Sequence, residues 1–235
     1  MKRIWIILFG LLTALDAAAD WRPVATGVDY QSEGRPPVHL FRLDPTRVYL
    51  DLLLSKDFNA QTLTASQYRS RGGALLVING GFFDSAFQSL GLLHRRNQTI
   101  HSLRRTSWGV FLMNRDNTPG VIPSQEWHGD EADTTTLAIQ AGPRLVVHGK
   151  IPNLKESVPD RRSAVGITPD GKVLIAASET LLTLRQWAEF ISRFCPDALN
   201  LDGGGSTQIA AEMPNLSLQV VGMTGVPNAL AVFRK

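Results

Sequence analysis

A single cysteine in 235 residues rules out a disulfide within the chain, so nothing covalent reinforces the fold and its stability must come from a packed core. Charge is also scarce. Only 19% of residues are Asp, Glu, Lys or Arg, and 24 basic residues against 21 acidic ones leave a formal net charge of +3. That balance excludes a disordered polyelectrolyte and supplies no electrostatic footprint for nucleic acid. The arginine pairs Arg95-Arg96 and Arg104-Arg105 lack interleaved aromatics and read as solvated charges. No internal period is present, which excludes solenoids, propellers and collagen-like chains.

Several catalytic signatures are missing as well. No Gly-Lys-Ser/Thr step follows a glycine turn, so there is no P-loop, and the Rossmann spacing is absent. Ser206 sits in Gly-Gly-Ser-Thr-Gln, without the second glycine of a nucleophile elbow. The five histidines, His39, His94, His101, His128 and His148, form no close pair at ligand spacing and read as surface or turn residues. No cofactor is expected from these patterns, and a divalent metal held by oxygen ligands is left open.

The apolar runs that are present are short. Ile4 to Leu12 follows the basic pair Lys2-Arg3 and precedes Ala17-Ala18-Ala19. This is the pattern of a secretory signal peptide over residues 1–19, cut after Ala19, with Asp16 interrupting the apolar stretch early. Its removal takes away Lys2, Arg3 and Asp16 and lowers the formal charge by one. A secreted or periplasmic protein is expected, with no stable membrane anchor after cleavage, and residues 20–235 forming one domain.

What remains is 43% hydrophobic, with 20 glycines and 13 prolines scattered between apolar segments. Extended structure begins at Val38, and Val48, Leu50, Leu52 and Leu54 alternate with Tyr49, Asp51 and Leu53 as in a strand with one buried face. A short helix is expected over residues 62–70, opened by Thr62 or Thr64 and closed by Gly72-Gly73. The continuous run Ala74 to Ile78 reads as a central strand. Further strands are expected at 108–113, 137–140, 145–147, 163–167, 172–177 and 198–201, with a hairpin at Pro169-Asp170-Gly171. Thr183 and Gln186 make a capping box for a helix running towards Pro196, and Cys195 at its end reads as a buried structural thiol. Residues 114–135 are polar and read as a surface excursion. The fold class is therefore α+β: a single domain of mixed, mainly antiparallel sheets with a few helices.

Two glycine-rich turns end apolar strands: Asn79-Gly80-Gly81-Phe82-Phe83-Asp84 and Asn200-Leu201-Asp202-Gly203-Gly204-Gly205-Ser206-Thr207. Consecutive glycines suit a backbone that turns through positive φ or approaches another group closely, and their N–H groups can form an anion-binding nest. The flanking carboxylates, amides and hydroxyls make the pair a candidate site. Arg161 reads as a solvated charge, whereas Arg162 offers a guanidinium fork for a phosphate or carboxylate.

At these residues the sequence resembles the phosphodiester glycosidases. The resemblance rests on Ile78 to Asp84, on Ala141-Gly142-Pro143-Arg144-Leu145 with Gly149 following, on Arg162-Ser163-Ala164-Val165-Gly166, on Asn200 to Thr207, and on Val226-Pro227-Asn228-Ala229-Leu230. These stand in the family's order across residues 75 to 233. Ala141 occupies a position where members often carry glycine, and Met223-Thr224-Gly225 lacks an arginine expected there.

The resemblance implies an exported hydrolase that breaks the C1–O bond between a sugar and a phosphodiester, or a related envelope glycan linkage. A non-catalytic glycan-binding or envelope-assembly protein with the same pocket is the alternative. The partner implied is a sugar phosphodiester or glycan, with no nucleic acid. Asp202 is the candidate catalytic carboxylate, as general base or nucleophile. Asp84 is either a second carboxylate or an Asx-type turn former. Arg162 and the N–H groups of Gly203, Gly204, Gly205 and Ser206 are expected to bind phosphate, with Thr207, Gly80 and Gly81 lining the site. Asn79 either holds a sugar hydroxyl or orients Asp202.

Overall fold

The computed structural model describes residues 21–235. The expected signal peptide over residues 1–19 lies outside the described residues. Three sheets make up the domain, with strand pairings that are antiparallel throughout.

The seven-stranded sheet orders its strands as Arg22–Ala25, Val28–Glu33, Val38–Leu43, Val173–Leu182, Asp160–Ile167, Asp197–Asn200 and Arg144–Val146. A five-stranded sheet is centred on Leu76–Asn79, flanked by Ile209–Met213 and Asn228–Arg234, with Leu216–Val220 and Val48–Leu54 at its edges. The other five-stranded sheet runs Gln98–His101, Leu93–Arg95, Thr135–Ala141, Gly109–Asn114 and Pro119–Pro123.

Period-two patterning divides the side chains between the central core and outer clusters. Leu50, Leu52 and Leu54 enter the central core, where they meet Leu76, Ile78, Phe111, Ile139, Val165 and Ile175 from all three sheets. Leu53 and Val77 face the opposite way, onto Tyr68 of the helix Ala65–Gly72. That helix starts at Thr64, whose hydroxyl accepts the Gln67 N–H, and stops at Gly73 with φ +69°. The helix Leu184–Ile191 covers the outer face of the large sheet through Trp187, Ala188 and Ile191. Its Thr183–Gln186 capping box forms as expected, but the helix closes at Ile191 and the chain turns before Pro196.

Three expectations need correction. Residues 114–135 are more than a surface excursion: Pro119–Pro123 pairs with Gly109–Asn114, and Trp127 is buried with Leu92, Val110 and Ala138. His39 and His94 are not surface residues. His39 is buried between the Tyr30 hydroxyl at 2.8 Å and Glu179 at 2.9 Å, and His94 is buried beside the Thr135 carbonyl, where desolvation lowers its pKa. Arg95 is no solvated charge, being half-buried and paired with Asp57 at 2.6 Å, whereas Arg96 is exposed as expected and pairs with Asp51 at 2.6 Å. Cys195 is buried as expected, and burial pushes its thiol pKa up, far from the thiolate chemistry of a nucleophile.

Candidate active site

Asn79 ends the central strand of its sheet with no exposed surface. A buried amide must find partners for both its donor and its acceptor. Its Nδ2 donates to the main-chain carbonyl of Asp202 at 2.7 Å. Its Oδ1 accepts from the Ser163 hydroxyl at 2.7 Å and from the Gln208 N–H at 3.2 Å. The Asp202 N–H donates in turn to the Gly80 carbonyl at 3.1 Å. The two glycine-rich turns are thus tied together through Asn79, and the strand that carries Arg162 joins them through Ser163.

Asn228 fixes the first turn from its other side. Its Oδ1 accepts the Gly81 N–H at 2.8 Å and its carbonyl accepts the Gly80 N–H at 3.0 Å. A Cβ on Gly80 would stand 2.0 Å from the Asn228 Oδ1, so glycine is required here by close packing of the protein on itself. Gly80 and Gly81, expected to line the site, are held by Asn228 in this position. Asn228 also walls a cleft of about 310 Å³ together with Phe87, Gln88, Lys56 and His101.

The carboxylate of Asp202 is half-buried, and desolvation raises its pKa. The Ser206 hydroxyl and the Gly203 N–H, the latter 2.9 Å from Oδ1, oppose that shift by binding the charged form. Gly204 has φ +58°, and a Cβ there would stand 2.7 Å from an Asp160 carboxylate oxygen. Asp160 therefore lies against the turn that follows Asp202.

Arg162 enters the same neighbourhood. Its Nε donates to the Leu182 carbonyl and its Nη2 to the Val158 carbonyl, both at 2.8 Å. Burial lowers its pKa, and the nearby Asp160 charge opposes the shift. Its Nη1 lies 3.8 Å from the place a Cβ on Gly203 would take. The guanidinium edge formed by Nε and Nη2 is occupied by protein carbonyls, which leaves Nη1 as the group turned to the glycine turn. Arg161 is no solvated charge: its Nη2 donates to the carbonyls of Thr207 and Val221.

A family model for phosphodiester glycosidases matches residues 72–233, the span that contains every one of these contacts. The chain belongs to the phosphodiester glycosidase family. Among curated proteins no match is found. The structure is similar to the catalytic domain of zebrafish N-acetylglucosamine-1-phosphodiester alpha-N-acetylglucosaminidase, auto-inhibited by its pro-peptide, at a TM-score of 0.69 and 17% identity, covering 91% of this chain and 85% of that one. It is also similar to a hypothetical protein from Synechocystis, at a TM-score of 0.61 and 18% identity, covering 92% of this chain and 64% of that one.

In this member of the family the remaining residues expected at the site divide clearly. Asp84 is exposed, and its Oδ1 accepts the N–H groups of Ala86 and Gln88, both at 2.9 Å. Its hydrogen bonds stay within its own loop, so the structure gives it the turn-forming role. The Gly203 N–H is held by Asp202 itself, and the Ser206 N–H donates to the Gly203 carbonyl at 3.1 Å. Of the expected nest, the N–H groups of Gly204 and Gly205 are the ones without a protein acceptor among the described residues. Thr207 is fully buried, and its hydroxyl has no partner among them. Among the described residues no three His, Cys, Asp or Glu side chains gather in a way that would hold a metal ion.

Ser163, Gln208, Asn228 and Asp160 complete the candidate site, and none of them was expected there from the sequence. The one sequence sign for Asp160 was its spacing of two from Arg162, just ahead of the strand expected from residue 163.

Proposed function

We propose that the protein is an exported hydrolase that cleaves the C1–O bond between a sugar and a phosphodiester. The observation that carries the reading is the position of Asp202: its carboxylate has a raised pKa, its main-chain carbonyl is held by the Asn79 amide, and the glycine turn that follows it faces Arg162 Nη1. Asp202 acts as general base. It takes a proton from water, whose oxygen bonds to C1 while the C1–O bond breaks and the phosphate monoester departs with the bonding electrons. A phosphate is a good leaving group, so positive charge near it matters more than a strong general acid. Arg162 Nη1 and the N–H groups of Gly204 and Gly205 supply that stabilisation.

Export rests on Lys2-Arg3, the short apolar run and Ala17-Ala18-Ala19. Mass spectrometry of the native protein is expected to find an N-terminus at Asp20. A retained Met1 in soluble protein would contradict it. The activity is tested by a turnover screen of residues 20–235 against sugar-1-phosphodiesters, with and without chelator. Release of free sugar supports the hydrolase. Tight binding without turnover identifies a glycan-binding protein instead.

A further inference from the structure

Five large apolar side chains are exposed among the described residues: Tyr49, Val158, Leu181, Val221 and Met223. Isolated exposed hydrophobes are ordinary on a protein surface, but a concentration of them marks an interaction site. Four of these five are gathered around one feature. The Val158 carbonyl accepts from Arg162 Nη2, and the carbonyl of Leu182, next to Leu181, accepts from Arg162 Nε. The Val221 carbonyl accepts from Arg161 Nη2 at 2.8 Å. The Met223 N–H donates to the Gly205 carbonyl at 2.7 Å, and Met223 Cβ lies 3.4 Å from the place a Cβ on Gly205 would take.

The backbone at these four positions is thus bonded, directly or one residue away, to Arg162 and Gly205 of the candidate phosphate site or, for Val221, to the adjacent Arg161. Their side chains remain in solvent: Met223 is 87% exposed, Val158 78%, and Leu181 and Val221 60% each. A cationic and N–H-rich centre with an apolar rim matches an amphipathic ligand, a phosphate ester that continues into hydrocarbon. Met223, unbranched and flexible, can follow a chain without fixed shape.

We propose that this rim holds the aglycone of the substrate, and that the substrate is a sugar-1-phosphodiester of a hydrocarbon alcohol. This rests on the hydrolase reading above. Water still attacks C1, the C1–O bond still breaks, and the product that leaves is an alkyl phosphate monoester.

Two measurements keep the rim and the hydrolase reading separable. The first is kcat/KM for methyl, butyl and octyl diesters of N-acetylglucosamine 1-phosphate, used below their aggregation concentrations. Each methylene reaching the rim is expected to raise kcat/KM by about two- to threefold, less than the roughly fourfold of complete burial. Leu181→Ser with Met223→Ser should bring the octyl-to-methyl ratio of kcat/KM most of the way to one. A flat dependence on chain length, or a gain that survives in the double variant, would overturn the proposal.

The second needs no turnover: calorimetric binding of methyl, butyl and octyl phosphate. Octyl phosphate is expected to bind at least about tenfold more tightly than methyl phosphate, with the difference lost in the double variant. If no diester is hydrolysed and this preference persists, the hydrolase reading fails and the rim stands. If octyl phosphate shows no preference while the wild-type protein alone sediments with phosphatidylglycerol vesicles, or dimerises through these side chains, the rim has another occupant and the proposal is wrong.

Discussion

The side-chain amide of Asn79 donates to the main-chain carbonyl of Asp202 across 123 residues of sequence, at 2.7 Å. The same amide accepts from Ser163 and Gln208, so one buried side chain sets the relative positions of three segments of the site.

Asn79→Ala would strand a buried carbonyl, hydroxyl and N–H at once. Each unsatisfied group costs on the order of 1–3 kcal/mol, so a loss of about 3 kcal/mol or more is expected in chemical denaturation. Turnover should fall further than stability alone explains, because the Asp202 backbone loses its anchor. An unchanged denaturation midpoint would show that the network contributes nothing.

The raised pKa of Asp202 has a defined consequence for stability. A folded-state pKa above the unfolded one means that the native protein binds the proton more tightly between the two values. The stabilising contribution is therefore present below the ordinary value of 3.8 and is lost as pH rises through the folded value. Asn does not titrate. The stability of Asp202→Asn relative to the wild type should accordingly grow from low pH to a plateau at neutral pH, as read by melting temperature in a pH series. A difference that shrinks with rising pH would reverse the sign of the shift.

Gly80→Ala places a methyl group on the Asn228 Oδ1. Overpacking of this kind costs about 1–3 kcal/mol. Asn228→Ala removes the obstructing atom but also the acceptor for the Gly81 N–H, so it should destabilise by itself. The double variant is expected to be more stable than the sum of the two changes predicts, and a thermodynamic cycle from urea denaturation measures the difference. Strict additivity would argue that the clash is relieved elsewhere.

Arg162→Lys keeps the charge but cannot serve the carbonyls of Leu182 and Val158 while also reaching the glycine turn. KM for phosphodiester substrates should rise by roughly tenfold, a loss comparable to one charge-assisted hydrogen bond, while the binding of an unphosphorylated sugar stays the same. Equal losses for both ligands would move phosphate recognition away from Arg162.

The strongly patterned parts of the fold were legible. The alternation through Val48–Leu54, the apolar run into Leu76–Asn79 and the Thr183–Gln186 capping box all became the elements they indicate. Eight strands gave no usable signal: Arg22–Ala25, Val28–Glu33, Leu93–Arg95, Gln98–His101, Pro119–Pro123, Ile209–Met213, Leu216–Val220 and Asn228–Arg234. Ile209–Met213 is alanine-rich and weak in β propensity, and it is a strand because Leu76–Asn79 and Leu216–Val220 pair on either side of it. At the site, Asn79, Asp202, Ser206 and Arg162 are brought together, because glycine turns at strand ends mark where chains converge. The distinction between Asp84 and Asp160 was not legible. Asp84 sits in the more conspicuous motif, yet its oxygen closes a local turn, while Asp160 reaches Gly204 only through the pairing of distant strands.

The most direct test of glycosidic cleavage is to run the reaction in H₂¹⁸O and weigh the phosphate monoester by mass spectrometry. Attack at C1 leaves the phosphate with its original oxygens, so an unlabelled monoester is expected, formed at least about a hundredfold more slowly by Asp202→Asn. A monoester carrying ¹⁸O would mean that water attacks phosphorus, and the assignment of Asp202 to chemistry at the sugar carbon would fall.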